Sequence, residues 1–332
     1  MKQSMQKFMH GLNKEQKTIK LIQMKKIISY QSMMRSLQYL LLGIVVMLGS
    51  THLIAQDSIS SNAPVVKKKS FVKNTFEGNY IIDNQAVIVP IKGTFEFDIQ
   101  HRFGTFEHGW KDLGGLFANA NMLLGFSYVP INDLQIGFGA TNDRMQTAGT
   151  LKYALLKQTK NNTMPFSVTL FGNAVMDTRA KNSSLPIVNV QDRFSYFTQL
   201  IIARKINEKI SLQVAPSFSY FNNVEAYYDA LHLIQPKTNN GHLSISVAGR
   251  YKLTDGMSLI ANYDQPITQH PMNNPNPNIA LGLDMKTSGH DFQIFLGNYG
   301  YILPQNNNVF NHNDFSKSQF LIGFNISRLW NF

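Results

Sequence analysis

The chain has 332 residues, 43% of them hydrophobic, no cysteine and a formal net charge of +11. Without cysteine there is no disulfide and no lipidated amino-terminal cysteine. Residues 1–55 carry eight cations and one anion, a net +7 that leaves +4 for residues 56–332. The basic balance is therefore no argument for nucleic acid, and no arginine–aromatic cluster supplies one.

Residues 39–49, Tyr-Leu-Leu-Leu-Gly-Ile-Val-Val-Met-Leu-Gly, form an apolar core behind a basic lead, and a small-residue junction follows at Ser50 to Gln56. This reads as a secretory signal peptide over residues 1–55, with an extended lead and cleavage near Ala55 or Gln56. The competing reading is a single transmembrane anchor, since the uncharged run approaches the roughly 17 residues that a short spanning helix needs. Met24, Met33 and Met34 are alternative starts. Residues 56–92 follow as a tether. Ser58, Ser60, Ser61, Pro64 and Lys67-Lys68-Lys69 make its first part polar and flexible. Phe76 to Val89 then form a short extended unit, either a periplasmic hairpin or a plug-like segment.

From Gly93 onwards the period is two, not 3.6. Twelve strand-like segments fall near 93–101, 120–130, 134–141, 147–158, 166–176, 194–206, 210–221, 242–253, 257–264, 278–286, 291–298 and 318–332. In one of them Leu243, Ile245, Val247 and Tyr251 oppose Ser244, Ser246, Arg250 and Lys252. Pro216 interrupts a ladder and predicts a bulge. The segment at 194–206 is apolar on both faces, which leaves its register open. Short links such as Ile131-Asn132-Asp133 and Thr254-Asp255-Gly256 alternate with long polar loops at 102–119, 177–193, 222–241, 265–277 and 299–317. That asymmetry, and an even strand number, predict an all-β fold: a transmembrane antiparallel up-and-down β-barrel over 93–332, of about 12 strands, with both termini periplasmic.

The last strand alternates Phe320, Ile322, Phe324, Ile326, Trp330 and Phe332 against small or polar residues. Its end, carried by Phe324, Ile326, Trp330 and Phe332, resembles the terminal signal that outer-membrane barrels present to the barrel-assembly machinery. Arg328 departs from that pattern. A second resemblance covers roughly residues 75–332. It is carried by His101-Arg102-Phe103-Gly104, Gly114-Gly115-Leu116-Phe117-Ala118-Asn119-Ala120, Ile136-Gly137-Phe138-Gly139 and Leu151 to Gln158. These look like an uncharacterised domain-of-unknown-function family of outer-membrane β-barrels from Gram-negative bacteria. The resemblance implies fold and place and no activity.

Catalytic constellations are not evident. No serine is placed to use His101 as a base, and the pair His101–Arg102 reads as an anchor for the first external loop. His312-Asn313-Asp314 offers two ligands with nothing to close a metal shell. No enzyme activity, cofactor or metal is expected. The remaining constellation is the polar face, with Glu96, Asp98, Lys152, Gln213, Arg250, Lys252, Asp264, Asp284 and Lys286 pointing inward. Inward charges either pair and fill a narrow lumen or line a path for a small solute, and twelve strands lie between the filled and open limits. Two functions stay open: a passive pore for a small solute, or a non-transporting structural barrel whose external loops bind a partner or glycan. The candidate loop surfaces are Tyr227-Tyr228, Asn273 to Pro277 and Asn306-Asn307-Asn308. The expected partners are outer-membrane lipid and the assembly machinery, with no nucleic acid. Deleting Phe332 is expected to lower the amount of chain recovered in the membrane, measured by immunoblot of membrane fractions. Assembly at wild-type level would make the last strand an ordinary one.

Overall fold

The computed structural model describes residues 70–181 and 187–332. The expected signal segment and the tether up to residue 69 lie outside the described residues. Twelve strands close into one barrel: β3 (Thr94–Thr105), β4 (Asn121–Ile131), β5 (Leu134–Thr141), β6 (Gln146–Leu156), β7 (Ser167–Asp177), β8 (Phe194–Lys205), β9 (Ile210–Phe221), β12 (Gly241–Thr254), β13 (Met257–Pro266), β14 (Asn278–Lys286), β15 (His290–Gly297) and β16 (Leu321–Asn331). Every neighbour is antiparallel and consecutive in the barrel, and β16 returns to pair with β3. Among the described residues, four further short strands lie outside the wall. β1 (Tyr80–Ile81) pairs with β2 (Asn84–Gln85), and β10 (Ala226–Tyr228) pairs with β11 (Ile234–Pro236) within the loop from β9 to β12. One helix, α1 (Pro304–Phe310), interrupts the loop from β15 to β16. Proline at its first turn needs no backbone donor there.

The alternation read from the sequence sorts residues onto two faces. On β3, Glu96, Asp98, Gln100 and Arg102 are buried inside, while Phe95, Phe97, Ile99, His101 and Phe103 form the outer side. Phe126, Phe138, Leu151, Leu243 and Leu281 are among the outer residues left 47–55% exposed, an apolar surface suited to lipid. The doubly apolar β8 settles with Ser195, Phe197, Gln199, Ile201 and Ala203 inside. Phe197 and Ile201 join an interior cluster with Ile81, Ile82 and Val87.

The bulge expected at Pro216 is absent. Ser217 opposite Gln199 and Val214 opposite Ile202 hold one register on either side of it, and Pro216 points outward. Its missing N–H costs local pairing without adding a residue. The register shifts fall instead at Tyr128/Ile131, Ala154/Leu156, Lys252/Thr254 and Leu321/Gly323, all near a rim. At the carboxy end, Trp330 lies 5.7 Å from Phe95 across the closing seam, and the Arg328 guanidinium sits 4.9 Å over the Trp330 ring. The departure of Arg328 from the terminal pattern thus becomes a cation–π contact. A closed ladder has no edge from which denaturant can fray it. An unheated sample in dodecyl sulfate should migrate differently from a boiled one, and a single band in both conditions would contradict closure.

Candidate functional site: the occupied lumen

Inward polar side chains need partners, because unpaired polar groups away from water are costly. Two segments supply them. Residues 70–92 enter from the short-turn rim, and α1 folds in from the long-loop rim. The extended unit at 76–92 is thus a plug-like segment within the barrel.

Each turn of the plug segment is held by wall side chains. Glu77 pairs with Arg250 and, at 3.0 Å, with Lys286. The Asn79 amide bridges an acid and a base: its Nδ2 donates to Glu96, and Lys152 Nζ donates to its Oδ1 at 3.4 Å. Gln293 takes the Ile82 N–H at 3.1 Å and donates to Tyr80 O at 2.9 Å. Asn325 donates to Ile82 O at 2.6 Å. Asn84 donates to Asp264 at 2.8 Å and accepts from Gln199 at 3.0 Å. Gln213 donates to Gln85 O at 2.8 Å, and Thr169 to Val87 O at 2.5 Å. Ile82 sits at φ 61°. A β-branched residue rarely adopts that left-handed conformation, and it costs about 1–3 kcal/mol where the surroundings impose it. The two-residue turn Ile82-Asp83 between β1 and β2 places it there, and Gln293 and Asn325 bond Ile82 on either side.

Helix α1 fills the opposite end. Gln305, Asn306 and Asn307 are fully buried. Gln305 exchanges hydrogen bonds with Asn173 at 3.0 and 3.2 Å, and Asn306 donates to Gln146 at 2.8 Å and Asp143 at 3.0 Å. Asn278 donates to Asn308 at 3.1 Å. The expected surface loop at Asn306-Asn307-Asn308 is therefore a lumen element. Carboxamides satisfy inward polar groups as well as they satisfy water, so composition alone could not tell the two apart.

The two insertions meet at Asp83. Asn307 Nδ2 donates to Asp83 Oδ2 at 2.6 Å, and Arg102 Nη2 lies 3.5 Å from Oδ1. Arg102 also donates to Asn325 at 2.9 Å and stacks 4.7 Å over the Phe295 ring. Burial pushes the Asp83 carboxyl up from 3.8 to about 7, with Arg102 opposing the rise and Asp264 adding to it.

The inward residues expected from the sequence occupy three levels. Glu96, Asp98, Lys152, Gln213, Asp264 and Asp284 are buried in the lumen wall, and Arg250 is buried against Glu77. Lys252 and Lys286 lie at the short-turn rim, 30% and 40% exposed, rather than deep inside. His101 and Arg102 do not act as a pair. Arg102 turns inward, while His101 stacks outside against Phe324 at 5.0 Å, with Phe103 at 4.3 Å. Gly104 completes the motif by close approach: its N–H donates to Gly115 O at 3.0 Å, and a Cβ on it would lie 2.4 Å from the Ala118 Cβ. Glu77, Asn79 and Asp83 escaped the sequence reading, because a short irregular segment carries no period.

A cavity of ≈ 60 Å³ remains between the plug and the wall of β3 to β8. Small inward residues, Gly125, Gly139, Ala148 and Thr150, leave it open. It has room for a few waters and no larger solute. Among the described residues, no group of three or more His, Cys, Asp or Glu side chains could hold a metal ion.

Residues 76–330 match the family model described as a membrane bound beta barrel domain (DUF5777). The chain belongs to this family. Membership accounts for the closed wall and its apolar outer belt. No curated protein matches the sequence. Solved structures with a similar barrel include the NanC porin, at 8% identity and TM-score 0.44 over 71% of this chain and 99% of that one. An outer membrane channel from Pseudomonas putida F1 gives 12% identity and TM-score 0.43 over 73% and 97%. The KdgM porin gives 7% identity and TM-score 0.40 over 72% and 99%. Likeness of this degree carries no inference about cargo.

Burial of Asp83 gives the docked state of residues 70–92 an expected dependence on pH. Its carboxyl holds a proton up to about 7 when docked and up to 3.8 when free in water. This contribution to docking is complete below about pH 4 and is lost as pH rises to about 7. Protease cleavage within residues 70–92 should therefore be faster at about pH 8 than at about pH 5, by roughly tenfold or more. Asp83→Asn should flatten that difference. An equal pH effect in the variant would remove Asp83 from the account.

Proposed function

We propose that the protein is a passive outer-membrane channel for small polar solutes, held shut in this conformation by residues 70–92 and by α1. One observation carries the reading: the polar wall of the lumen holds the inserted segment through side-chain hydrogen bonds. Every contact named above between residues 77–87 and the wall uses at least one side chain. Water can replace each of these hydrogen bonds at modest cost, while the packing of Ile81, Ile82 and Val87 among Phe171, Phe197 and Ile201 opposes release. The wall's own ladder is complete from β3 to β16 without the plug. Withdrawal of the segment would thus leave a closed barrel with charged and polar side chains along a wet path, the arrangement from which selectivity is built. Residues 1–55 serve export in this reading. The short-turn rim, where residues 70–92 enter, then faces the periplasm and the long loops face outward.

Gly78 offers a test. An ideal Cβ placed on it lies 3.7 Å from the Cβ of Asp291, within the roughly 3.5–4.5 Å that a disulfide requires. The chain has no cysteine to compete. In a planar bilayer, Gly78→Cys/Asp291→Cys should conduct when reduced and fall silent when oxidised, with disulfide formation confirmed by mass. Equal conductance in the two states would show that the plug does not gate. Silence in both, from protein that is folded by gel mobility, would favour a structural barrel with a filled interior.

A further inference from the structure

The short-turn mouth holds a vestibule of ≈ 930 Å³, within the size range of sites that bind small ligands. Its lining is charged and uneven. Lys252 is matched by Asp255 at 2.7 Å and Lys205 by Glu208 at 3.2 Å. Arg250 and Lys286 share the one carboxylate of Glu77. Lys73, Lys160 and Arg204 also line it, and among the described residues none of the three has a carboxylate partner. Arg204 instead lies 5.5 Å over the Phe166 ring. Seven cations therefore face three anions across one concave surface. In sequence, Lys67-Lys68-Lys69 immediately precede this stretch.

Among its charged groups, the deeper lumen is lined mainly by carboxyl groups. Asp83, Glu96, Asp98, Asp264, Asp284 and Asp291 are buried there against Arg102 and Lys152. A small anion thus finds its excess of cations at the rim and not further in.

Two of the rim cations already hold the plug. We propose that the vestibule is a binding site for a small polyanion bearing phosphate or carboxylate groups, which competes with Glu77 for Arg250 and Lys286 and so favours release of residues 70–92. Several anionic oxygens on one molecule can engage Lys160 and Arg204 on the wall while displacing the single carboxylate of Glu77. Charge-assisted hydrogen bonds to arginine and lysine are the strong ones, so the exchange is between like interactions. By reciprocity, an anion that binds more tightly once Glu77 has left shifts the plug equilibrium by the same factor. The effect on passage rests on the channel reading above; the binding does not.

The test is calorimetric titration of the full chain in detergent with inorganic pyrophosphate, at about 150 mM salt so that weak surface attraction is screened. Saturable binding is expected. Lys160→Ala/Arg204→Ala, which removes no side-chain contact to residues 70–92, should weaken it roughly tenfold. Glu77→Gln should tighten it several-fold, because the competitor is then neutral. Gly78→Cys/Asp291→Cys should bind more weakly oxidised than reduced. No saturable binding, or an affinity unmoved by Glu77→Gln in folded protein, would overturn the proposal. Nanodiscs separate the sources of the anion. Weaker pyrophosphate binding in phosphatidylglycerol than in phosphatidylcholine identifies lipid headgroups as occupants, and equal binding identifies a soluble anion. A silent bilayer with these affinities in order ends the channel reading alone, whereas conductance without pyrophosphate binding ends this one alone.

Discussion

The structure depends on backbone pairing in a medium without water. Each N–H and C=O that faces hydrocarbon must be bonded within the protein, and a sheet satisfies this only by having no edge. The pairing of β16 with β3 removes the last edge. The period-two alternation follows from the same closure, since one face of each strand meets lipid and the other meets the lumen. The long loops gather at one rim and the tight turns at the other, because consecutive antiparallel strands alternate direction around the ring.

Closure then creates a second problem inside. The inner faces of twelve strands carry carboxylates, cations and carboxamides, and these must meet water or each other. In this chain a polar segment and a polar helix meet them. The Asn79 amide between Glu96 and Lys152 shows how: one neutral group satisfies an acid and a base at once. Asp83 shows what such filling costs. Its carboxylate is taken from water to a site where Arg102 and Asn307 only partly restore what hydration supplied, so its proton affinity rises. Strain at Ile82 adds to that cost. Residues 77–87 meet the wall through side-chain hydrogen bonds and apolar packing, whereas residues 70–72 are tied to the turn between β6 and β7 through the backbone.

Much of the wall was legible in the sequence. Twelve segments, their short and long connections and the inward side of Glu96, Asp98 and Lys152 all follow from alternation, because inside and outside differ in polarity at every second residue. The terminal pattern reads less completely: Arg328 breaks it, and its stacking on Trp330 is seen only in three dimensions. Pro216 misled for a definite reason. A missing donor predicts a defect in the ladder, but whether a residue is also inserted depends on how neighbouring strands absorb it. The His101-Arg102 motif misled because adjacent residues in a strand point to opposite faces, so chain neighbours are not spatial partners.

The sequence by itself determined the barrel, since period two is a local property that needs no knowledge of the neighbouring strand. Only the tertiary structure decided what fills it. Asn307 and Asp83 lie 224 positions apart, and Ile82 and Gln293 lie 211 apart. Both the plug and α1 are too short to carry a periodic signal, and their polar residues suit a solvated loop as well as a polar lumen. What separates those fates is the presence of Arg102, Gln293 and Asn325 on the inner wall, and that wall exists only once the barrel has closed.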